Sequence, residues 1–257
     1  MATGAKWTCG PTVAFGTMGP MPVSVARFKE LCLDTTSADA TLGTFWAAAT
    51  GCEFEPGERP GDPGNVIGAV EGMGISLCPV PEPKTVKDRV HLDLHTDAVE
   101  TILALGATVR PEQDEGDRWT VLLDPDGNEL CAFVRDPATL TPYRAYELVV
   151  DCRDREAIGR WWADVFGVDL HAEAGKDWTW LEGVPGFPME AWVFGEVPEP
   201  KTVKNRMHWD VYGDVADLEA RGATRLWEVP GRTRPVAWTV LADPEGNEFC
   251  VFPFPEE

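Results

Sequence analysis

Two short segments hold the residue types that chemistry needs, and they are near copies of each other. Residues 80–94 read VPEPKTVKDRVHLDL and residues 197–211 read VPEPKTVKNRMHWDV. Each reaches a His-x-Asp, His91–Asp93 or His208–Asp210. Each is followed downstream by Asp-Pro-(Asp/Glu)-Gly-Asn-Glu, which ends on Glu129 or Glu248, with Cys131 or Cys250 two residues further on. An imidazole among carboxylates supports two chemistries. It moves protons when burial raises a carboxyl pKa, and it binds a divalent ion when three donors converge. Period-two alternation puts Glu129 with Cys131, and Glu248 with Cys250, on one strand face. Neither cysteine has a base beside it in sequence, so we read both as small buried residues rather than nucleophiles.

The elements that position these residues also occur twice. After each His-x-Asp comes a helix-like run, then Gly-Ala-Thr (106–108 and 222–224), then Trp-Thr-Val-Leu and the turn. Order and spacing persist, with His91 and His208 lying 117 positions apart, so a whole domain is duplicated. Residues 26–36 alternate as a strand, and Ser37 is placed to cap a helix through Leu42, Phe45, Trp46 and Ala49 that ends at Gly51. Two short strands fill 65–79. Asp97 is placed to cap a second helix, and Asp124-Pro125-Asp126-Gly127 forms a type I turn between two closing strands. The second half repeats the plan, with Asp154 capping a helix that holds Trp161 and Trp162. The pattern predicts an α+β chain of four βαβββ units. The expected division is a loose tail at 1–24, in which Met21 is an alternative start, then domains at 25–136 and 144–255, joined by a linker with two prolines.

The bulk numbers narrow the function. With 43 acidic and 22 basic residues the formal charge is −21, which repels phosphate backbones and anionic membranes. No apolar run has the length of a membrane span, and no signal peptide is legible. Seven scattered cysteines without a Cys-x-x-Cys pair point to reduced thiols in a cytoplasm. The K-T-V-K segments read as solvated linker, and no phosphate-cradling glycine loop or dinucleotide fingerprint is present. The expected partner is a small molecule, not nucleic acid or membrane, for a monomer or homodimer.

Taken together, the two βαβββ units per domain, His-x-Asp at the start of the second unit, Gly-Ala-Thr after its helix and the Asp-Pro-x-Gly-Asn-Glu hairpin resemble the vicinal oxygen chelate superfamily, in its glyoxalase-like branch. The resemblance covers about residues 25–254. It implies that paired units curl into cups that hold a metal or a ligand, with ligands from the first, fifth and last strands. Those positions fall on Glu147 (Glu30 in the first half), on His208 (His91), and on Cys250 (Cys131) where the family has a glutamate. The departure speaks against a hard-metal site, so no cofactor is favoured. A divalent metal, if present, would use Glu147, His208 and Glu248. Each cup is expected to come from one domain: Glu30, His91, Asp93, Glu129 and Cys131 in a possible second site, and Glu147, His208, Asp210, Glu248 and Cys250 in the other. Arg89 and Arg206 are placed to pair with these acids. A purely structural hydrogen-bond network is the competing reading of both sets.

The second half is the richer in tryptophan. Trp178, Trp180 and Trp192, with Asp210, Tyr212 and Cys250, are the expected substrate contacts, and a longer hairpin at 183–190 is expected to overhang them. The leading expectation is lyase or isomerase-type acid–base chemistry on a small oxygenated or aromatic metabolite, with Glu147, His208 and Glu248 catalytic. The alternative is sequestration of an aromatic drug-like compound without turnover, as in bleomycin resistance.

Overall fold

Alternating strands, short helices and positive-φ glycines recur four times along the chain. The computed structural model describes residues 23–113, 118–227 and 238–255. The expected tail lies almost wholly outside them. The first unit is β1 (Ala26–Thr35), α1 (Thr41–Thr50), β2 (Glu53–Glu55), β3 (Asn65–Ile67) and β4 (Ile75–Pro79). The second is β5 (Val90–Thr96), α2 (Val99–Leu103), β6 (Thr108–Val109), β7 (Thr120–Leu123) and β8 (Glu129–Val134). The third is β9 (Ala145–Cys152), α3 (Arg155–Phe166), β10 (Leu170–Ala172), β11 (Trp178–Leu181) and β12 (Ala191–Glu196). The fourth is β13 (Met207–Gly213), α4 (Val215–Ala220), β14 (Thr224–Arg225), β15 (Thr239–Ala242) and β16 (Glu248–Phe252). The four-unit α+β reading is therefore correct.

Local chemistry explains the boundaries. Gly51 and Gly167 close α1 and α3 in the left-handed region, at φ 74° and 66°, where a Cβ would be strained. Asp154 caps α3 by accepting from the Ala157 amide. Ser37 and Asp97 do not cap as expected: α1 starts at Thr41, whose amide donates to Asp39, and α2 starts after Ala98. At the hairpins, Asp124 and Asp243 accept from the turn amides of Asn128 and Asn247 and from the indoles of Trp46 and Trp162. The first unit's helix is thus tied to the hairpin of the second unit, and the third unit's helix to that of the fourth. Burial lifts Asp243 to about 6 in spite of these donors.

The pairing of units differs from the expected one. Two eight-stranded sheets form, but β1 pairs antiparallel with β13, and β5 with β9. The first unit joins the fourth, and the second joins the third, so each sheet draws on both halves of the sequence. The expectation that each cup comes from one domain is overturned. Between the sheets lies an aromatic core of Trp162, Trp192 and Trp209 with Phe28, Phe166 and Phe249, all essentially inaccessible.

The 183–190 hairpin is part of this join. Pro185 accepts from the Phe28 amide at 2.8 Å, and Phe187 packs on Phe28 and Trp192. It docks on β1 rather than overhanging a cup. The duplicated linkers cross-brace the halves: Arg89 donates to the carbonyls of Asp151 and Glu199, and Arg206 to those of Asp34 and Glu82. These arginines bind backbone, not the cup acids expected to pair with them.

Candidate functional site: two unequal cups

Residues directly opposed on paired strands share a face, so the register distributes the candidate residues. On the sheet of the first and fourth units, Glu30 opposes Asp210, Cys32 opposes His208, and Asp210 opposes Cys250. On the sheet of the second and third, Asp93 opposes both Glu147 and Cys131, and His91 opposes Val149. Glu147 and His208, expected to work together, are on different sheets. Glu147 shares its cup with His91 and Asp93, while His208 shares its cup with Glu30. We call these the 2–3 cup and the 1–4 cup.

The indoles divide likewise. Trp180 opposes Val193, which opposes Val149, and Trp178 opposes Gly195, so both rings share the face of Glu147 in the 2–3 cup. Trp178 is 37% exposed with Lys176 over its ring. Trp180 stacks on His171 and donates to Glu182 at 2.8 Å. Trp192 faces the other way and is 0% exposed, stacked on Trp162. Its expected substrate contact is corrected to a core role, because strand alternation sends it to the opposite face from Val193. Tyr212, expected beside Glu147, lies in the 1–4 cup opposite Arg27, where its hydroxyl donates to Glu71 at 2.8 Å.

Glu129 and Glu248 are bound to the linkers. Lys84 pairs with Glu129 at 2.8 Å and Lys201 with Glu248 at 2.7 Å, and the amides of Asp88 and Asn205 donate to the same two carboxylates. Lys87 and Lys204 pair with Asp151 and Asp34. The K-T-V-K lysines therefore tie the linkers to acids of the sheets instead of standing free in solvent. A cavity of about 660 Å³ lies between the two linkers, lined by Lys84, Lys87 and Lys204 and by Arg89 and Arg206.

A β-bulge in each first strand makes the cups unequal. In β1 the extra residue is Lys29, whose ammonium pairs with Glu30 and lies 3.7 Å from Asp210. In β9 the corresponding residue is Tyr146, stacked on His95 at 4.0 Å. Burial lifts Glu147 to about 7, and Glu190 adds to the rise. Burial, followed by the charge of Glu147, raises Asp93 well above the carboxylate range. His91 falls to about 4 and His208 to about 3, both through burial, so both imidazoles are neutral at pH 7. His91 Nε2 lies 3.5 Å from Asp93 Oδ1.

A hard divalent ion asks for converging carboxylates. In the 1–4 cup the carboxylates do not fit one, because Lys201 and Lys29 hold Glu248 and Glu30. Among the described residues, the donor groups that do converge, within 4.8 Å of one another, all contain a thiol: His91–Asp93–Cys131, Cys32–Cys78–His208 and His208–Asp210–Cys250. Sequence reasoning missed Cys32, Cys78, Lys29 and Tyr146. Two-residue spacing from Glu30 was the available signal for Cys32, and none marked Cys78.

Comparison with known proteins agrees with this architecture. The model of the glyoxalase-like domain matches residues 30–133 and again 147–252. Glyoxalase I from Zea mays is 14% identical over 89% of this chain and 92% of its own, with a TM-score of 0.61. A provisionally assigned dioxygenase from Bacillus subtilis is 12% identical over 91% and 86%, with a TM-score of 0.54. At such identities the likeness is one of fold. No curated protein matches the chain in sequence. Among the described residues no helix is long and apolar enough to cross a membrane.

Proposed function

This chain belongs to the glyoxalase-like domain family, and from that premise we propose that its 2–3 cup binds a small oxygenated or aromatic metabolite and transfers a proton on it, as a lyase or isomerase does. The observation that carries the reading is the Glu147 carboxyl, held near 7 on the same face as the exposed Trp178 and the half-buried Trp180. A carboxyl poised there is ionised in about half the molecules at neutral pH and both takes and returns a proton. Asp93, whose carboxyl is pushed well above the carboxylate range by burial and then by Glu147, offers in its protonated form a hydrogen bond to a developing oxyanion. His91 takes the place first given to His208, because it shares the cup with Glu147. Trp178 and Trp180 offer flat apolar area to a planar substrate.

The exposed Trp178 ring also favours a second reading, capture of an aromatic compound without turnover. One experiment separates the two. A panel of small aromatic and oxygenated compounds is titrated against the full chain by tryptophan fluorescence, and each binder is incubated and followed by NMR. Turnover that Glu147→Gln removes while binding persists supports the enzyme. Saturable binding with no product from any compound supports capture. A panel that binds equally well to Trp178→Ala/Trp180→Ala protein would reject the 2–3 cup as the site.

A further inference from the structure

We propose that the 1–4 cup is a thiolate-rich site for a thiophilic d¹⁰ cation, zinc, held by Cys32, Cys78, Cys250 and His208. Cys32 and Cys78 come from adjacent parallel strands of the first unit, and Cys250 and His208 from adjacent parallel strands of the fourth. The two pairs meet because β1 pairs with β13, where Cys32 opposes His208. Ligand atoms of Cys32, Cys78 and His208 lie within 4.8 Å of one another, as do those of His208, Asp210 and Cys250. Tetrahedral zinc with Zn–S bonds of about 2.3 Å brings sulfurs to roughly 3.8 Å, so the two triads draw together around the shared His208 through χ1 adjustments.

The surroundings suit the ion. Cys32 and Cys250 are buried, and His208 is 8% exposed with its Nδ1 unpartnered in the interior. A buried ring nitrogen without a partner is open to a ligand; His91 Nδ1 in the sister cup is likewise unpartnered, so the thiols, and not this nitrogen, set the two cups apart. Three thiolates around zinc leave one net negative charge. Lys29, beside Asp210, and Lys204, on Asp34, supply nearby positive charge. Asp210 stays outside the coordination sphere, its Oδ1 3.4 Å from Cys32 Sγ. The carboxylates that a hard-metal site would require are held by lysines. The sister cup controls for the fold itself. Where the 1–4 cup has Cys32, the matching position of β9 is Val149, and where it has Cys78, β12 has Gly195. Cys131 and His91 remain there, but two of the four donors do not. The site is independent of the proton chemistry assigned to the 2–3 cup.

The test uses the full chain, reduced and freed of metal, titrated anaerobically with Co²⁺ as a spectroscopic stand-in for zinc. The expected result is one tight equivalent. It should show intense thiolate-to-cobalt charge transfer in the near ultraviolet and strong tetrahedral d–d bands, all displaced by one equivalent of Zn²⁺. Cys32→Ser and Cys78→Ser should each weaken zinc by more than the roughly 10–100-fold that loss of a ligand's hydrogen-bond partner costs. Cys131→Ser should leave the spectrum unchanged. The wild-type spectrum answers the question even if a variant fails to fold. Cobalt bound without a thiolate band overturns the proposal. So does a band lost in Cys131→Ser but kept in Cys78→Ser. A Cys32–Cys78 disulfide found by mass spectrometry in zinc-loaded, air-equilibrated protein would assign the pair to redox chemistry and overturn it too.

Discussion

The 1–4 and 2–3 cups descend from one duplicated pattern, and a single bulge residue separates their electrostatics. Both retain His-x-Asp, the glutamate of the first strand and the cysteine of the last. In the 1–4 cup, Lys29 sits at the bulge, pairs with Glu30 and offsets part of the rise that burial imposes on Asp210. In the 2–3 cup, Tyr146 takes that place, and Glu147 and Asp93 are left competing for protons in a desolvated site. A cation stabilises an ionised carboxylate, whereas burial without one holds the proton on. The sheet positions around them follow suit: Cys32 and Cys78 on one side, Val149, Gly195, Trp178 and Trp180 on the other. Duplication preserved the scaffold, and a few substitutions on the cup faces gave the copies different chemistries.

The most disruptive way to break this comparison is to cut the chain between the halves. Fragments 21–138 and 139–257 each lack a strand that completes either sheet, so neither should give a folded monomer, and co-expression should restore both cups. Size-exclusion chromatography and circular dichroism decide it, and a monomeric, fully folded fragment would contradict the crossed pairing. Next in size is Trp192→Ala, which should cost ~3–5 kcal/mol of unfolding free energy in denaturant titrations because the ring bridges the sheets. Trp180→Ala should cost less than about 1 kcal/mol. Equal costs for the two would erase the distinction between core and cup indoles.

Glu147→Gln should reduce turnover of any substrate by ~10²–10⁴-fold, the contribution usual for a positioned acid–base group. Glu30→Gln should change it little, since Lys29 and Ser76 already hold that carboxylate. Steady-state kinetics on both variants make the comparison. The pH dependence of stability sharpens it further. Glu147 is raised from 4.5 to about 7 in the folded chain, so its contribution is present below pH 4.5 and lost as pH rises through about 7. Glu147→Gln lacks that loss. Its stability relative to wild type should therefore rise by on the order of 2 kcal/mol between pH 4.5 and 7. The neutral histidines act in the opposite sense in both proteins and cancel in the difference. A flat difference would mean that the carboxyl is not held protonated. Trp178→Ala should have the smallest effect, weakening an aromatic ligand by several-fold, since stacking adds on the order of 1 kcal/mol. Isothermal titration would show it, and an unchanged affinity would move the binding surface elsewhere.

Much of the fold was legible because it rests on local signals. The four units, the turn at Asp124–Gly127, the glycines that close α1 and α3, and the cap at Asp154 all follow from period, turn chemistry and capping within a few residues. The candidate residues were legible as types, and the register puts His91, Asp93 and Glu147 on one face of one sheet and His208 and Asp210 on one face of the other. Their grouping was not. Duplication gives every unit a first strand with an equivalent unpaired edge, so the sequence pattern is equally consistent with pairing the first unit to the second or to the fourth. Side-chain packing makes the choice, through Phe28, Phe187 and Trp192 at the join and through the arginines that cross between the linkers. The tertiary structure therefore decided that Glu147 belongs with His91, that Trp192 is core while Trp180 is not, and that Cys78, 46 positions from Cys32, is beside it. These are contacts between units, and no period or motif within a unit encodes them.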